Sequence, residues 1–234
     1  PREMEYLMET FVIDYLKERY DLQEQIIKAW VIHTISKGES AIDEIIGEME
    51  TYSNPTVGLV AYPNQTDIRV TAKASSSAEA DALMRPVVEE IRRRLGDYIY
   101  GENETTLEAA IVRMLKEQKL RLAIVESGTK SEISNKLKLH ANDDIIRTEH
   151  LESYISDETL KSLMTEFAEL NQADLVLGVR LSSDGQTQTL YQALLDKESF
   201  WHDQRNYAGP IGDGLRWAFN ASLDSVRRKL NKQI

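Results

Sequence analysis

The amino-acid sequence predicts an α/β (α+β) protein, in which a small α+β domain is followed by an α/β/α sandwich with a mixed sheet. Two observations predict this class. Short apolar runs typical of buried strands alternate with longer segments whose apolar residues recur every three or four positions, as in amphipathic helices. Polar turn residues separate two pairs of predicted strands and so indicate hairpins. The 234 residues suffice for two cores, and the polar stretch 101–104 divides them into domains 1–102 and 103–234.

The first domain is predicted to run helix, strand, helix, hairpin, helix, strand. Its first helix carries an apolar stripe made of Met4, Leu7, Met8, Phe11, Tyr15 and Leu16. Tyr62-Pro63-Asn64-Gln65 supplies the hairpin turn, and Gly96 ends the longest helix. The predicted helices cover residues 3–20, 41–49 and 78–95, and the predicted strands cover residues 24–36, 56–61, 67–74 and 97–100.

The second domain alternates helices and strands. Thr105 or Thr106 caps its first helix, Ser156 caps a later one, and Ser182-Ser183-Asp184-Gly185 forms the turn of a second hairpin. A brief strand is predicted at Ile145-Ile146. The remaining predicted elements are an apolar strand at 122–125, helices at 105–118, 157–170 and from 215 to the C-terminus, and strands at 174–181 and 188–195.

Composition excludes several classes of function. A net charge of −11 argues against a nucleic-acid partner, because such affinity depends on neutralising phosphates with Lys and Arg. The one basic triplet, at residues 92–94, lies in a helix of mixed charge and indicates a solvated face. No apolar run is long enough to cross a bilayer, and no signal peptide precedes the first helix. The chain has no cysteine, which excludes disulfides, thiolate metal sites and a cysteine nucleophile and fits a cytoplasmic protein.

Residues 120–137 are the stretch most suggestive of chemistry. The apolar run 122–125 leads into Glu126-Ser127-Gly128-Thr129-Lys130-Ser131, after which Ile133 and Leu137 resume a helical spacing. A strand that turns into a helix through small residues presents N–H groups and hydroxyls that suit a phosphate or a developing oxyanion. The local pattern by itself favours a simpler interpretation, an ordinary connection in which Ser127 or Thr129 is the N-cap.

This stretch resembles a signature of the CinA family of competence- and damage-inducible proteins. Glu126-Ser127-x-Thr129 is similar to the family's Glu-Ser-Cys-Thr-Gly-Gly, with Gly128 in place of Cys and Lys130-Ser131 in place of Gly-Gly. Five further segments of the first domain resemble the family's middle domain. They are Pro1-Arg2-Glu3-Met4, Gly38-Glu39-Ser40, Ser53-Asn54-Pro55-Thr56-Val57, Thr71-Ala72-Lys73-Ala74 and the junction 95–102.

The resemblance implies a KH-like first domain and a second domain related to nicotinamide-mononucleotide deamidases. It implies Ser127 as the catalytic nucleophile, with Glu126, Thr129, Lys130 and Arg205 binding a nucleotide substrate. It also implies a homodimer, no cofactor, and a missing N-terminal nucleotide-processing domain, so that the chain is a fragment of a longer protein. No Gly-x-x-Gly loop, which KH domains use to hold nucleic acid, occurs in the first domain.

The second domain departs from the deamidase pattern. The segment between Ser127 and the helix at Ser156 is too short for the family's Tyr-Ser-Asn-x-x-Lys element. Residues 180–185 replace the family's Thr-Gly-Ile-Ala-Gly-Pro loop, and His202-Asp203-Gln204-Arg205 stands at its Gly-Asp-Arg. A serine without a base is a poor nucleophile. We therefore expect a degenerate deamidase, weakly active or inactive; the alternative is a non-catalytic pair of domains that scaffolds a dimer.

Other candidate sites are weaker. Ser127 with one of the four histidines, His33, His140, His150 and His202, would make a hydrolase triad, but no spacing supports one. The histidines also lack ligand spacing, so no metal site is expected. The glycine-rich loop 207–214 is able to cradle a phosphate before the last helix; the pattern favours a plain loop with Asp213 as N-cap.

Overall fold

A computed structural model describes residues 2–20, 25–151, 155–207 and 209–234. The chain divides into two compact units. The first unit comprises Pro1–Ile32, Glu39–Val60 and Asp67–Asp97, and the second comprises His33–Gly38, Ala61–Thr66 and Tyr98–Ile234. The boundary at residue 102 stays a prediction. No helix among the described residues is both long enough and apolar enough to cross a bilayer.

The chain begins with one helical run made of α1 (Arg2–Leu7), a π-helical segment (Met8–Val12) and α2 (Ile13–Tyr20). The predicted helix is therefore observed. None of its residues is buried, and its apolar stripe is exposed: Met4 is 66% accessible and Phe11 is 67% accessible. Packing therefore does not explain these apolar side chains.

A four-stranded sheet follows, with strand order β2-β3-β1-β4. Val70, Ala72 and Ala74 of β3 are buried, whereas the intervening Thr71 and Lys73 are not, because successive side chains of a strand point to opposite faces. One face is thus packed and the other open. The elements are β1 (Ile26–Ile35), α3 (Glu39–Ile46), a 3-10 turn (Gly47–Thr51), β2 (Thr56–Tyr62), β3 (Gln65–Ala74), α4 (Ser77–Leu95), a 3-10 turn (Gly96–Tyr98) and β4 (Ile99–Glu102). Residue 24 of the predicted first strand lies outside the described residues.

The second sheet has five strands in the order β6-β5-β7-β8-β9. β5 is parallel to its neighbours β6 and β7, whereas β8 is antiparallel to its neighbours β7 and β9, so the sheet is mixed as predicted. The elements are α5 (Leu107–Gln118), β5 (Leu122–Ser127), α6 (Glu132–Lys138), β6 (Ile146–Leu151), α7 (Asp157–Asn171), β7 (Leu175–Ser183), β8 (Gln188–Asp196), β9 (Phe200–Tyr207), a 3-10 turn (Ile211–Asp213) and α8 (Gly214–Leu230).

Helices cover both faces of this sheet. On one face Ile124 and Leu177 pack with side chains of α5, α6 and α8, including Ile111, Ile133 and Leu223. On the other face Ala123, Val125 and Val176 pack with Leu160 and Met164 of α7. This arrangement confirms the predicted α/β/α sandwich and explains why all six residues of β5 are buried.

Three local predictions need correction. Neither Ser127 nor Thr129 caps α6, whose N-cap is Ser131 without a side-chain hydrogen bond. The brief strand at Ile145-Ile146 extends to Leu151 and becomes β6. Asp213 is the N-cap of α8, as predicted, but its carboxylate makes no capping hydrogen bond. Ala208, within the predicted loop 207–214, lies outside the described residues.

Candidate functional site around Ser127

Ser127 is the last residue of β5, at the carboxyl end of a strand with parallel neighbours on both sides. Its partners in register are Leu151 of β6 and Arg180 of β7. Sites in α/β sheets commonly lie beyond the carboxyl ends of parallel strands. Ser127 is only 2% exposed, so the hydroxyl sits within the protein rather than at an open surface.

The Glu126 carboxylate is fully buried and holds the turn that follows β5. One carboxylate oxygen accepts a hydrogen bond from the Thr129 hydroxyl. The other accepts from both the backbone N–H (3.1 Å) and the hydroxyl of Ser134. Three hydrogen bonds from its own chain compensate the cost of burying this carboxylate, and they fasten the turn to α6.

Gly128 is pressed against β7. Its φ is +75°, a conformation that favours glycine, and a Cβ added there would lie 2.0 Å from the Leu181 carbonyl oxygen. The family signature has cysteine at this position. A side chain does not fit here in the observed conformation, so this turn depends on the glycine that stands in place of the cysteine.

Lys130 and Ser131 keep the backbone geometry that their counterparts in the signature would favour. Their φ angles are 54° and 59°, in the left-handed region that glycine adopts most readily. Two consecutive residues thus adopt a backbone conformation that glycine favours, although neither of them is glycine. Lys130 is exposed, whereas Thr129 is 1% exposed and contacts Glu126.

Adjacent residues on β5 face opposite sides of the sheet. Glu126 faces the side of α6, whereas Ser127 shares the α7 side with Arg180 and Tyr191, its partners across β7 and β8. The Arg180 guanidinium lies 2.7 Å from the Asp157 carboxylate and 5.6 Å from the centre of the Tyr191 ring. Burial raises the pKa of the Tyr191 phenol, and the Asp157 charge raises it further.

The Arg180–Asp157 pair was not predicted from the sequence. Arg180 is 7% exposed, and it lies inside the apolar strand β7 at the position beside Ser127. Arginine is rarely buried unless it is paired. The available signal was a charged residue in an otherwise apolar strand together with an acidic residue at the start of the preceding helix, α7.

The structure does not place Arg205 beside Ser127. Arg205 lies on β9, three strands from β5, which corresponds to about 14 Å at the usual spacing between strands. It pairs in register with Leu190, whose side chain belongs to the core on the α8 face, opposite the face of Ser127. Its guanidinium contacts Asp203 at 2.6 Å. The predicted common pocket for Ser127 and Arg205 is therefore not formed.

The histidines are dispersed as well. His150 is opposite Glu126 in the β5–β6 register, and therefore faces the side away from Ser127. His33 stacks on Tyr100, and His202 stacks on Tyr191 from the distant strand β9. Across the described residues, no group of three or more His, Asp or Glu side chains is arranged to hold a metal ion.

Comparison with known proteins identifies the family. Residues 30–101 match the family described as "Damage-inducible protein CinA KH domain". A CinA-like protein from Dictyoglomus thermophilum is 41% identical over 138 residues, which cover 58% of this chain and 33% of the relative. A putative competence-damage inducible protein from Alkaliphilus oremlandii is 35% identical over 164 residues, covering 70% of this chain and 39% of the relative.

A solved structure of a competence-damaged protein (CinA) superfamily member from Klebsiella pneumoniae aligns with 54% of this chain and 96% of its own, at 16% identity and a TM-score of 0.46. The chain thus spans between a third and two fifths of the length of the curated relatives described above. The match to the KH domain family and the similarity to these relatives cover longer stretches than the short segments in which the sequence alone resembled the family. The chain belongs to the CinA family.

Proposed function

We propose that this chain is a non-catalytic module of a CinA-type protein, whose second unit is a degenerate relative of nicotinamide-mononucleotide deamidases. The observation that carries the proposal is the closed turn after Ser127. In this turn the Glu126 carboxylate accepts three hydrogen bonds from the chain itself, and Gly128 lies against the Leu181 carbonyl oxygen.

The two strand partners of Ser127 also fit a loss of amide hydrolysis. A serine attacks a carbonyl efficiently only when an adjacent base takes its proton. The strand partners at its register are Leu151 and Arg180, and a guanidinium cannot accept a proton. Glu126 faces the opposite side of the sheet, so it is not positioned to serve Ser127.

The test is release of ammonia from nicotinamide mononucleotide by the full chain and by its Ser127→Ala variant. We expect no release above the level of the variant. A control variant, Ser182→Ala, changes a serine on the neighbouring strand β7 and checks that any loss is specific to Ser127. Turnover in the wild type and in Ser182→Ala that disappears in Ser127→Ala would overturn the proposal.

We further propose that the N-terminal helical run joins two copies of the chain. Nine large apolar side chains are exposed along Arg2–Tyr20, namely Met4, Tyr6, Leu7, Met8, Phe11, Ile13, Tyr15, Leu16 and Tyr20. Exposed apolar patches of this extent mark interaction surfaces on soluble domains. Met4, Met8, Phe11 and Tyr15 follow a 4-3-4 spacing, which aligns side chains along one seam between paired helices.

The charges on this helical run favour an antiparallel second copy as the occupant. Glu3 and Glu5 lie in its first turn, and Lys17 and Arg19 lie in its last turn. A two-fold axis across the middle of the run brings the acidic end of one copy near the basic end of the other. The same surface then serves both partners, as a two-fold symmetric interface requires.

Sedimentation velocity over a range of concentrations tests the dimer. Met8→Glu puts a charge into the seam, and we expect it to weaken self-association at least tenfold. Tyr6→Glu is the matched control, because it adds the same charge about 200° around the helix, away from the seam. A wild-type chain that stays monomeric, or equal effects of both variants, would contradict this interface; a monomer would assign the stripe to another segment of a longer protein.

A further inference from the structure

The first unit contains a pocket that is lined in part by segments resembling the CinA family, to which the proposed function assigns no role. It has a volume of about 580 Å³ and lies where β1 and β2 begin and β3 ends. Two of its walls come from Ser53-Asn54-Pro55-Thr56 and Thr71-Ala72-Lys73-Ala74, two segments that resemble the CinA family. The described residues that line it are Gln25, Ile27, Ser53, Asn54, Thr56, Thr71, Lys73, Ala74 and Ser75.

The Asn54 side chain fixes the two walls to each other. Its Nδ2 donates to the Lys73 carbonyl oxygen at 2.9 Å, and its Oδ1 accepts from the Lys73 backbone N–H at 3.0 Å. This pair of hydrogen bonds fixes the position of the Lys73 backbone and does not involve the Lys73 side chain. The pocket is therefore shaped by the protein before any ligand arrives, which lowers the cost of binding.

The charge of the pocket is opposite to that of the chain. The sequence has 39 acidic and 28 basic residues, yet among the nine described residues that line the pocket none is Asp or Glu, and Lys73 is the single cation of these nine. Lys28, on the adjacent strand, is paired with Asp81 at 2.7 Å. By contrast, no ion pair or hydrogen bond with another described residue engages the Lys73 ammonium group. Such a site attracts an anion.

The hydroxyl groups of the pocket divide into two sets. The Thr56 hydroxyl donates to the Thr71 carbonyl at 3.4 Å, and the Ser75 hydroxyl donates to the Glu79 carboxylate, so both donors are already used. The Ser53 and Thr71 hydroxyls have no partner among the described residues. Ile27, which is 75% exposed, supplies an apolar wall beside these polar groups.

We propose that this pocket binds a small organic phosphate monoester. The Lys73 ammonium and the Ser53 and Thr71 hydroxyls supply three donor groups, and a phosphate monoester presents three strong acceptor oxygens. The organic part of the ligand lies against Ile27. A carboxylate carries a single negative charge, whereas a phosphate monoester carries about −1.5 to −2 at pH 7, so the Lys73 ammonium attracts the phosphate monoester more strongly.

The experiment titrates the full ¹⁵N-labelled chain with phenyl phosphate, and in parallel with benzoate as a carboxylate of similar shape. We expect phenyl phosphate to shift the amide signals of Ser53, Asn54 and residues 71–75, with a Kd at least several-fold lower than that of benzoate. Lys73→Met removes the ammonium group, and we expect it to weaken phenyl phosphate binding about tenfold.

Arg69→Met is the matched control, because Arg69 is an exposed cation on the same strand and the same face but does not line the pocket. We expect this variant to bind phenyl phosphate as the wild type does. Three outcomes would overturn the proposal: no shifts at the pocket, equal weakening by both variants, or equal affinity for benzoate. Equal weakening would mean attraction by surface charge only.

Discussion

The Ser127 turn of the second unit and the Lys73 pocket of the first unit both derive from segments that resemble the CinA family, but their polar groups have different partners. In the turn, the buried Glu126 carboxylate accepts the hydrogen bonds of Thr129 and Ser134. In the pocket, none of the described lining residues carries a carboxylate, and the Lys73 ammonium group has no partner in the part of the chain that the structure describes. A polar motif can take a ligand only where the protein has not already supplied one.

This contrast also separates resemblance from function. The turn retains the residues that imply chemistry, Glu126, Ser127 and Thr129, yet two of their three side chains are engaged in stabilising the fold. The described lining of the pocket holds no residue of a known catalytic pattern, and its Ser53, Thr71 and Lys73 side-chain donors have no partner among the described residues. Variants in the turn therefore show which contacts stabilise it, and variants in the pocket show which ligand it binds.

Removing the Glu126 carboxylate is expected to have the largest effect. Glu126→Ala leaves the Thr129 and Ser134 donors unsatisfied in a buried region, and we expect a loss of about 3 kcal/mol in the free energy of unfolding of the second unit. The measurement is the urea midpoint followed through the backbone amide signals of β5.

Glu132→Ala provides the matched control for this prediction. Glu132 is six positions along the chain, and its carboxylate makes a partly exposed ion pair with Lys136 at 3.0 Å. Such pairs contribute little, so we expect a loss of about 0.5 kcal/mol or less. If Glu126→Ala costs no more than Glu132→Ala, the carboxylate does not hold the turn and the comparison between the two regions fails.

The sequence predicts most of this fold because its helices and strands have clear periodicities. The alternation in β3 and the apolar run of β5 specify one-sided and two-sided burial directly. The sequence does not reveal which residue a side chain contacts when that residue is distant in the chain. Lys28 pairs with Asp81, and Arg180 pairs with Asp157, through sheet topology and helix packing rather than local spacing.

The candidate site is less predictable for the same reason. Glu126-Ser127-x-Thr129 marks the correct turn, but the pattern does not reveal that Glu126 turns inward and accepts from Ser134, eight residues away. Arg205 was grouped with Ser127 by its place in a motif, whereas strand order puts it three strands away. Register decides which residues meet, and register depends on the whole sheet.

Asn54→Ala is expected to have a smaller effect on stability, and it sharpens the comparison on the side of the open pocket. Asn54 makes two hydrogen bonds to the Lys73 backbone, but at an exposed position where water replaces both, so we expect a loss of about 1 kcal/mol in the first unit. Asn54→Asp keeps the acceptor for the Lys73 N–H, but it places a carboxylate oxygen where Nδ2 donates to the Lys73 carbonyl oxygen at 2.9 Å, so we expect its effect on stability to be at least as large. We also expect Asn54→Asp to weaken phenyl phosphate binding more than Asn54→Ala does, because the new carboxylate lies beside Lys73 and repels an anion. If the Asn54→Asp variant binds phenyl phosphate more tightly than the Asn54→Ala variant does, Asn54 serves only to hold the Lys73 backbone in place, and the pocket does not select anions.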